Sequence, residues 1–169
     1  MRKIASPSFL RFAMTRFFIL ATLLRRHLFY NFEYMILEHV AIWTNQLERL
    51  RAFYETYFGA TSNAKYVNPS TGLETYFLTF NSGARLELMQ RADIPENKND
   101  TIAQYRGIIH LAFAVASPAE VDKIADRFKE AGLTILRGPR ITGDGYYEFE
   151  TLDIDNNRLE VMAKYGGDV

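Results

Sequence analysis

Two histidines and two glutamates are the residues of this sequence best suited to hold a metal ion. His39 and His110 each open an apolar stretch, and Glu87 and Glu160 each lie between two apolar residues. The chain has no Cys, which excludes disulfides and thiolate ligands. Two imidazoles and two carboxylates would neutralise a divalent cation and suit Ni, Zn, Co, Mn or Fe. The sequence therefore predicts one divalent ion bound by His39, Glu87, His110 and Glu160.

Each of these residues also has an ordinary structural interpretation. A lone Glu inside an apolar strand can turn outward to solvent, because burying an isolated charge is costly. A lone His on such a strand is more often a core residue. Equivalent His–Glu pairs in two segments favour the metal ligands. Glu38 precedes His39 and is predicted to point to the opposite face of its strand, so it is left out of the site.

An internal repeat organises the chain. Residues 38–60 and 109–133 each contain an apolar strand that opens on a His, followed by an amphipathic helix. Each helix ends at a glycine placed like a C′ residue, Gly59 or Gly132. A closing strand follows in each repeat, reading Arg-Leu-Glu-Leu-Met or Arg-Leu-Glu-Val-Met, and its Glu lies 28 residues after the glycine. Agreement in order, motif and spacing indicates two copies of one unit.

Each repeat is predicted to form a βαβββ module, which gives an α+β fold. The domain is expected over residues 35–165, with modules at 36–90 and 108–164 and a polar connector at 91–107. The first module has a predicted strand at 36–43, a helix at 47–58 and strands at 62–67, 73–80 and 84–90. The second has a predicted strand at 108–115, a helix at 118–131 and strands at 134–137, 145–152 and 158–163.

Residues 1–34 differ from the rest of the chain. They carry six of its basic residues, one of its acidic residues and an eight-residue apolar run at 17–24 between arginines. That run is far short of the roughly 20 residues needed to cross a bilayer. A degenerate targeting segment and a basic amphipathic helix on a membrane or partner are both possible interpretations. We expect a poorly ordered N-terminal extension, produced by translation starting upstream of Met35, and therefore exclude His27 from any site.

Charge and composition narrow the function classes. Beyond residue 34 the chain has a net charge of −5, which disfavours nucleic-acid binding because phosphate contacts need clustered Lys and Arg. The sequence predicts no integral membrane span. We expect a cytoplasmic protein that acts on a small molecule.

The motifs of residues 36–164 resemble the vicinal oxygen chelate superfamily, which includes glyoxalase I, extradiol dioxygenases and fosfomycin- and bleomycin-resistance proteins. The matching segments are His39-Val40-Ala41-Ile42, Phe53-Tyr54 leading to Phe58-Gly59, Leu86-Glu87-Leu88, His110-Leu111-Ala112-Phe113 and Leu159-Glu160-Val161. The His, Glu, His, Glu set is similar to that of bacterial glyoxalase I. The resemblance implies eight strands forming curved sheets around a metal-centred cavity. It also implies a homodimer, often with the site built from both subunits.

The resemblance further implies a metal-dependent lyase or isomerase that stabilises an enediolate, in the manner of lactoylglutathione lyase. Glu160 is the predicted base and Glu87 its partner. Arg140 and Tyr147, with Tyr146, lie on or beside a Gly-rich turn and are predicted to line the cavity mouth and bind substrate, although they could be ordinary hairpin residues.

Two departures from glyoxalase I concern the substrate. Trp43 stands where an Arg usually meets a glutathione carboxylate, and Arg91 stands where an Asn is usual. Both are predicted substrate-binding residues, and they argue against glutathione recognition.

The alternative functions are a small-molecule- or antibiotic-binding resistance protein of the same fold, and an interaction protein that keeps the metal for stability. A binding module would not need four metal ligands.

Overall fold

The computed structural model describes residues 35–98 and 100–166, and the predictions for residues 1–34 lie outside that part of the chain. The described residues form two βαβββ modules, which confirms the predicted α+β fold class. Each module consists of one helix packed on one sheet.

The first module forms the larger sheet. It comprises β1 (His39–Trp43), α1 (Leu47–Phe58), β2 (Thr61–Ser62), β3 (Tyr66–Asn68), β4 (Leu73–Thr79) and β5 (Arg85–Gln90). β1 runs parallel to β5, β5 is antiparallel to β4, and the short β2 and β3 both pair with β4. The prediction of one strand over 62–67 is wrong, because Asn63 interrupts it. The Asn63 side-chain oxygen accepts a 2.8 Å hydrogen bond from the backbone N–H of Phe77, outside the regular ladder.

The second module repeats this plan with four strands. It comprises β6 (Leu111–Ala114), α2 (Pro118–Glu130), β7 (Ile135–Ile141), β8 (Tyr146–Leu152) and β9 (Arg158–Lys164), in the sheet order β6-β9-β8-β7. β7 is longer than the predicted 134–137, because it continues past Gly138 and Pro139 through two register shifts. Gly138 has a φ of 84°, and a Cβ there would lie 2.5 Å from the carbonyl oxygen of Glu148.

The two sheets are separate in the described part of the chain. β1 is an edge strand of the first sheet and β6 an edge strand of the second, and no ladder joins them. The nine strands of the described residues therefore form a five-stranded and a four-stranded sheet, one strand more than the eight expected, because β2 and β3 are separate.

Strand alternation decides which side chains face the helices. Leu86 and Leu88 of β5 are 3% and 0% exposed and face the core, whereas Glu87 between them lies on the other face. In β9, Leu159 and Val161 are likewise buried in the core. The helix-covered faces thus build the hydrophobic core, and the opposite faces carry the His–Glu pairs.

Aromatic rings join the modules. Phe128 of α2 lies 6.4 Å from Phe53 and 5.8 Å from Phe58 of α1, measured between ring centroids. Phe58 also packs against Phe113 of β6 at 4.5 Å, and Phe128 against Phe149 of β8 at 5.7 Å. Helix α1 therefore packs against its own sheet and against elements of the second module.

A buried polar network links the same elements. Tyr54 of α1 is fully buried, and its hydroxyl donates a 2.9 Å hydrogen bond to Oδ2 of Asp153, which follows β8. Oδ1 of Asp153 accepts from the backbone N–H groups of Asp155 and Asn157, each at 2.9 Å. Gln46, just before α1, donates to the carbonyl oxygen of Ile154 at 3.1 Å. The turn before β9 is thus fixed to the first helix.

Candidate metal centre

The first His–Glu pair lies on the face of the first sheet that the helix does not cover. His39 is opposite Arg85 in the parallel ladder, and Glu87 is opposite Ala41, so the two side chains project from the same face. Nε2 of His39 is 3.7 Å from Oε2 of Glu87. The His39 side chain is 40% exposed and that of Glu87 is 16% exposed.

The second pair has nearly the same geometry. Glu160 of β9 is opposite Ala112 of β6, and His110 directly precedes β6. Nε2 of His110 is 3.9 Å from Oε2 of Glu160, and the side chains are 35% and 12% exposed. Pairs that are equivalent in the sequence are therefore equivalent in space, each within its own module.

Each pair fits two positions in the coordination shell of one divalent ion. Ligand atoms bonded at about 2.1 Å with tetrahedral or octahedral angles lie roughly 3.0–3.4 Å apart. The observed 3.7 and 3.9 Å need only small side-chain rotations. Imidazole nitrogen with carboxylate oxygen is a donor set that Zn, Ni, Co, Mn and Fe accept.

The structure does not bring all four predicted ligands together within one chain. No group of three or more His, Asp or Glu side chains suited to a metal occurs within residues 35–98 and 100–166. The described residues of one chain thus hold two separate His–Glu pairs, and the four-ligand centre remains a prediction.

Glu38 does not point away from His39, and that prediction is wrong. Oε2 of Glu38 lies 2.5 Å from Nδ1 of His39, and Oε1 accepts from Nε of Arg85 at 2.6 Å. Glu38 precedes the first residue of β1, so strand alternation does not govern its side chain. The hydrogen bond from His39 lowers the pKa of Glu38, and the Arg85 guanidinium acts in the same direction against desolvation.

Two glutamates that the sequence analysis missed share the face of Glu160. Glu150 is opposite Glu160 in the β8–β9 ladder, and Glu148 lies two residues earlier on the same face. They are 7% and 6% exposed. Burial raises the pKa of Glu148, and the negative charge of Glu160 raises it further, whereas Arg140 lowers it. The ladder register is the signal that could have placed both carboxylates beside the pair.

Arginines neutralise these glutamates. Arg140, a predicted substrate-binding residue, donates to Glu148 at 2.8 Å and to Glu150 at 3.4 Å. Arg158 donates to Glu150 at 2.6 Å and to the connector carbonyl of Thr101 at 2.9 Å. Arg140 is therefore near the second pair but already engaged by two carboxylates.

Tyr147, also predicted to bind substrate, lies on the helix side of β8. Its hydroxyl donates to Asp122 of α2 at 2.7 Å, and the hydrogen bond from Tyr147 to that carboxylate is the main cause of its raised pKa. In β8, Tyr147 alternates with Glu148, so the two side chains occupy opposite faces. The structure does not bring Tyr147 to either His–Glu pair.

Trp43 and Arg91, the remaining predicted substrate-binding residues, contact each other. The Arg91 guanidinium lies 5.5 Å from the Trp43 ring centre. It also makes two bonds to Asp93, Nε to Oδ1 at 2.5 Å and Nη2 to Oδ2 at 3.1 Å. Trp43 is on the same face of β1 as His39. These two residues therefore belong to the surroundings of the first pair.

A cavity of about 560 Å³ lies between β1, the connector and the residues around β6 and β9. Trp43, His110 and Arg158 contribute to its wall, whereas His39, Glu87 and Glu160 are not among its lining residues. Tyr105 of the connector and Ile108, which follows it, also line the cavity and remain 69% and 83% exposed. In the described part of the chain, no helix combines the length and apolar character needed to cross a membrane.

Solved structures share this fold. A glyoxylase/bleomycin resistance protein/dioxygenase domain from Frankia sp. EAN1pec matches with a TM-score of 0.67 and 18% identity, over 80% of this chain and 96% of that one. The trypanothione-dependent glyoxalase I of Leishmania major matches with a TM-score of 0.62 and 20% identity, over 77% and 87%. Lactoylglutathione lyase from Agrobacterium tumefaciens matches with a TM-score of 0.55 and 22% identity, over 75% and 91%.

The comparison with curated proteins finds no match. The family model of the Glyoxalase/Bleomycin resistance protein/Dioxygenase superfamily matches residues 36–161, which include the first module, nearly all of the second and all four residues of the His–Glu pairs. The chain therefore belongs to the glyoxalase/bleomycin resistance protein/dioxygenase superfamily, the vicinal oxygen chelate proteins.

Proposed function

We propose that this protein is a metal-dependent, glyoxalase-like lyase or isomerase that acts on a small substrate with two neighbouring oxygens. The observation that carries the proposal is the pair of half-sites, His39 with Glu87 and His110 with Glu160, at 3.7 and 3.9 Å. A simple binding pocket does not need this donor set. The names of the Leishmania and Agrobacterium structures describe enzymes of the same type, although their low identity supports only the fold.

We place the complete site between two copies of the chain in a homodimer. The His39–Glu87 pair of one copy would meet the His110–Glu160 pair of the other, and each dimer would hold two ions. Both pairs lie on faces that the helices leave uncovered, and β1 and β6 are edge strands. Exposed apolar residues between β5 and β6, such as Tyr105 and Ile108, provide further surface that a second copy could cover.

In the proposed reaction Glu160 is the base and Glu87 its partner. A bound ion would polarise the two substrate oxygens and lower the cost of negative charge on them. Glu160 removes a proton from the carbon that bears the hydroxyl and returns it to the carbonyl carbon, while the hydroxyl proton passes to the former carbonyl oxygen, so atoms and charge balance. Its side chain is 12% exposed, which limits the access of competing water.

The surroundings of the first pair argue against the glutathione hemithioacetal as substrate. Trp43 has an indole N–H but no charge, so it cannot form the bidentate, charge-assisted contact that an Arg forms with a carboxylate. Arg91 is already paired with Asp93 through two bonds. We therefore propose a smaller substrate, such as a 2-hydroxy acid, an α-keto acid or another thiol adduct.

A small-molecule-binding resistance protein is the second candidate, and the 560 Å³ cavity favours it. Trp43 and Tyr105 supply aromatic surface there, and neither Glu87 nor Glu160 lines the cavity. Such a protein would bind its ligand without needing a metal, so the metal content separates the two candidates.

The decisive experiment is metal analysis of mixed dimers. One double variant carries His39→Ala with Glu87→Ala, and the other carries His110→Ala with Glu160→Ala. Each alone should bind no ion at the proposed site. Mixed dimers should regain one site per dimer, because the two intact half-sites meet across the interface. Elemental analysis, chelator competition and light scattering would measure ion content and assembly.

A wild-type protein that binds no divalent ion would refute the proposed function. Ion binding by wild type without recovery in mixed dimers would place the ion elsewhere. Glu160→Gln should keep the fold and abolish proton exchange at the substrate carbon. Glu55→Gln is the matched control, since Glu55 pairs with Arg51 and Ser62 outside both half-sites.

A further inference from the structure

The side chain of Glu38 joins His39 to Arg85. One carboxylate oxygen meets Nδ1 of His39 at 2.5 Å, and the other meets both Nε and Nη2 of Arg85 at 2.6 Å. The Arg85 guanidinium also lies 4.1 Å from the ring centre of Phe77, whose ring meets the His39 ring edge-on at 5.4 Å. The imidazole of His39 is therefore contacted by a charged network on one side and an aromatic ring on another.

This arrangement selects one form of the neutral imidazole. An ionised carboxylate can only accept hydrogen bonds, so the proton must sit on Nδ1 of His39. The lone pair is then on Nε2, the atom that faces Oε2 of Glu87 at 3.7 Å. A metal ligand needs that lone pair, and a hydrogen bond to the opposite ring nitrogen fixes both the tautomer and the ring orientation.

The second module lacks this support. Ile109 occupies the place before His110 that Glu38 occupies before His39. Arg158, the repeat equivalent of Arg85, donates instead to Glu150 and to the carbonyl of Thr101. In the described part of the chain, Nδ1 of His110 has no hydrogen-bond partner. The two half-sites thus share their ligands but differ in what holds the histidine.

We propose that Glu38 is a positioning residue that holds His39 in the Nδ1–H tautomer and makes the His39–Glu87 pair the preorganised half of the metal site. The metal-binding consequence rests on the proposed function, whereas the tautomer is a property of the metal-free protein. The less constrained half contains Glu160, the proposed base.

The test compares Glu38→Ala and Glu38→Gln with wild type, and Glu55→Ala serves as a control that also removes a glutamate from an arginine pair. Long-range ¹H–¹⁵N spectra of the metal-free proteins report which nitrogen of His39 carries the proton. We expect the Nδ1–H form in wild type and a shift toward Nε2–H in Glu38→Ala. Glu38→Gln should retain the wild-type tautomer, because its amide oxygen still accepts a hydrogen bond.

Competition of Zn²⁺ and Ni²⁺ against a chromophoric chelator gives the second readout. Glu38→Ala should bind either ion about tenfold more weakly, the usual lower limit for losing a partner of a ligating histidine. Glu38→Gln should lie closer to wild type, and Glu55→Ala should match it. Far-ultraviolet circular dichroism confirms folding of each variant.

The outcomes separate the two proposals. Wild type that binds metal, with Glu38→Ala equal to it in affinity and in tautomer, overturns the role of Glu38 and leaves the proposed function intact. Wild type that binds no metal overturns the proposed function, and the spectra of His39 then decide the positioning role alone. A tenfold loss that glutamine also fails to rescue would show that charge, rather than tautomer control, is what Glu38 supplies, and would overturn the inference.

Discussion

Replacing Tyr54 with phenylalanine removes one oxygen from the network that joins the two modules. Tyr54 is fully buried, and its hydroxyl donates to Asp153 at 2.9 Å. The ring would stay packed against Phe53 and Phe58, so the variant tests the hydrogen bond rather than the aromatic core. Asp153 would keep its bonds from Asn157 and from the backbone N–H of Asp155.

The expected loss follows from the burial and charge of the acceptor. A hydrogen bond to a charged group contributes about 1.5–3 kcal/mol to stability. Because Oδ2 of Asp153 still accepts from Asn157 in the variant, we expect the lower part of that range, about 1.5–2 kcal/mol. With a urea m value of roughly 2 kcal/mol per molar, the unfolding midpoint should fall by about 1 M.

The loss should also depend on pH. Burial raises the pKa of Asp153 above its ordinary value of 3.8, and the bonds from Asn157 and Tyr54 oppose that rise. A raised folded-state pKa means that the contribution of Asp153 to stability is greatest below its unfolded pKa and is lost as the pH rises through the folded pKa. The bond from Tyr54 is strongest to the ionised carboxylate. The difference in the free energy of unfolding between Tyr54→Phe and wild type should therefore be largest at neutral pH, where Asp153 is ionised, and smaller in acid.

Urea titrations at fixed protein concentration, followed by circular dichroism, would measure both effects. Tyr76→Phe is the matched control. Its hydroxyl also meets a carboxylate, Glu48 at 3.1 and 3.2 Å, but the Glu48 side chain is half exposed. The control should lose at most about 0.5 kcal/mol. A Tyr54→Phe midpoint equal to that of Tyr76→Phe at neutral pH would refute this account of the network.

Four further predictions concern the core, the N-terminal segment and the substrate. Phe128→Ala should destabilise the domain by about 3–5 kcal/mol, measured by urea unfolding, because Phe128 is fully buried among rings of both modules. Deleting residues 1–34 should leave the melting temperature and metal content unchanged, and a large loss of either would show that this segment packs on the domain. Methylglyoxal with glutathione should be turned over at a kcat/KM below the ordinary range of about 10⁴–10⁸ M⁻¹s⁻¹, and a value inside that range would make the protein a plain glyoxalase I. Trp43→Arg should improve that activity if the missing charge is what limits it.

The internal repeat predicted most of the fold because its signals are local. Helical periodicity with a terminal glycine defined both helices to within one residue, and Gly59 and Gly132 have the expected positive φ values of 65° and 71°. Alternation of apolar residues placed Glu87 and Glu160 on the face away from the core. These features depend on neighbouring residues alone.

The parts of the site that the sequence did not predict depend on contacts between strands or on side chains outside them. Glu150 lies beside Glu160 only through the β8–β9 register, which no single strand reveals. The Glu38 side chain turns toward His39 because Glu38 precedes β1, where strand alternation does not apply. The guanidinium of Arg85, which is distant in the sequence, also binds its carboxylate. Tyr147 was assigned to the cavity from its place near a turn, whereas strand parity puts it toward α2.

The position of the core explains why the half-sites remain apart within one chain. Both helices pack on the inner faces of their sheets and meet through Phe53, Phe58 and Phe128, with Tyr54 bonded across to the second module. The face of each sheet that carries a His–Glu pair is therefore the face that this shared core does not use. Rotating one module to bring the pairs together would break the aromatic contacts and the Tyr54 bond, at a cost of several kcal/mol. A second copy can supply the missing pair without that cost, which supports a site formed between chains rather than by rearrangement within one.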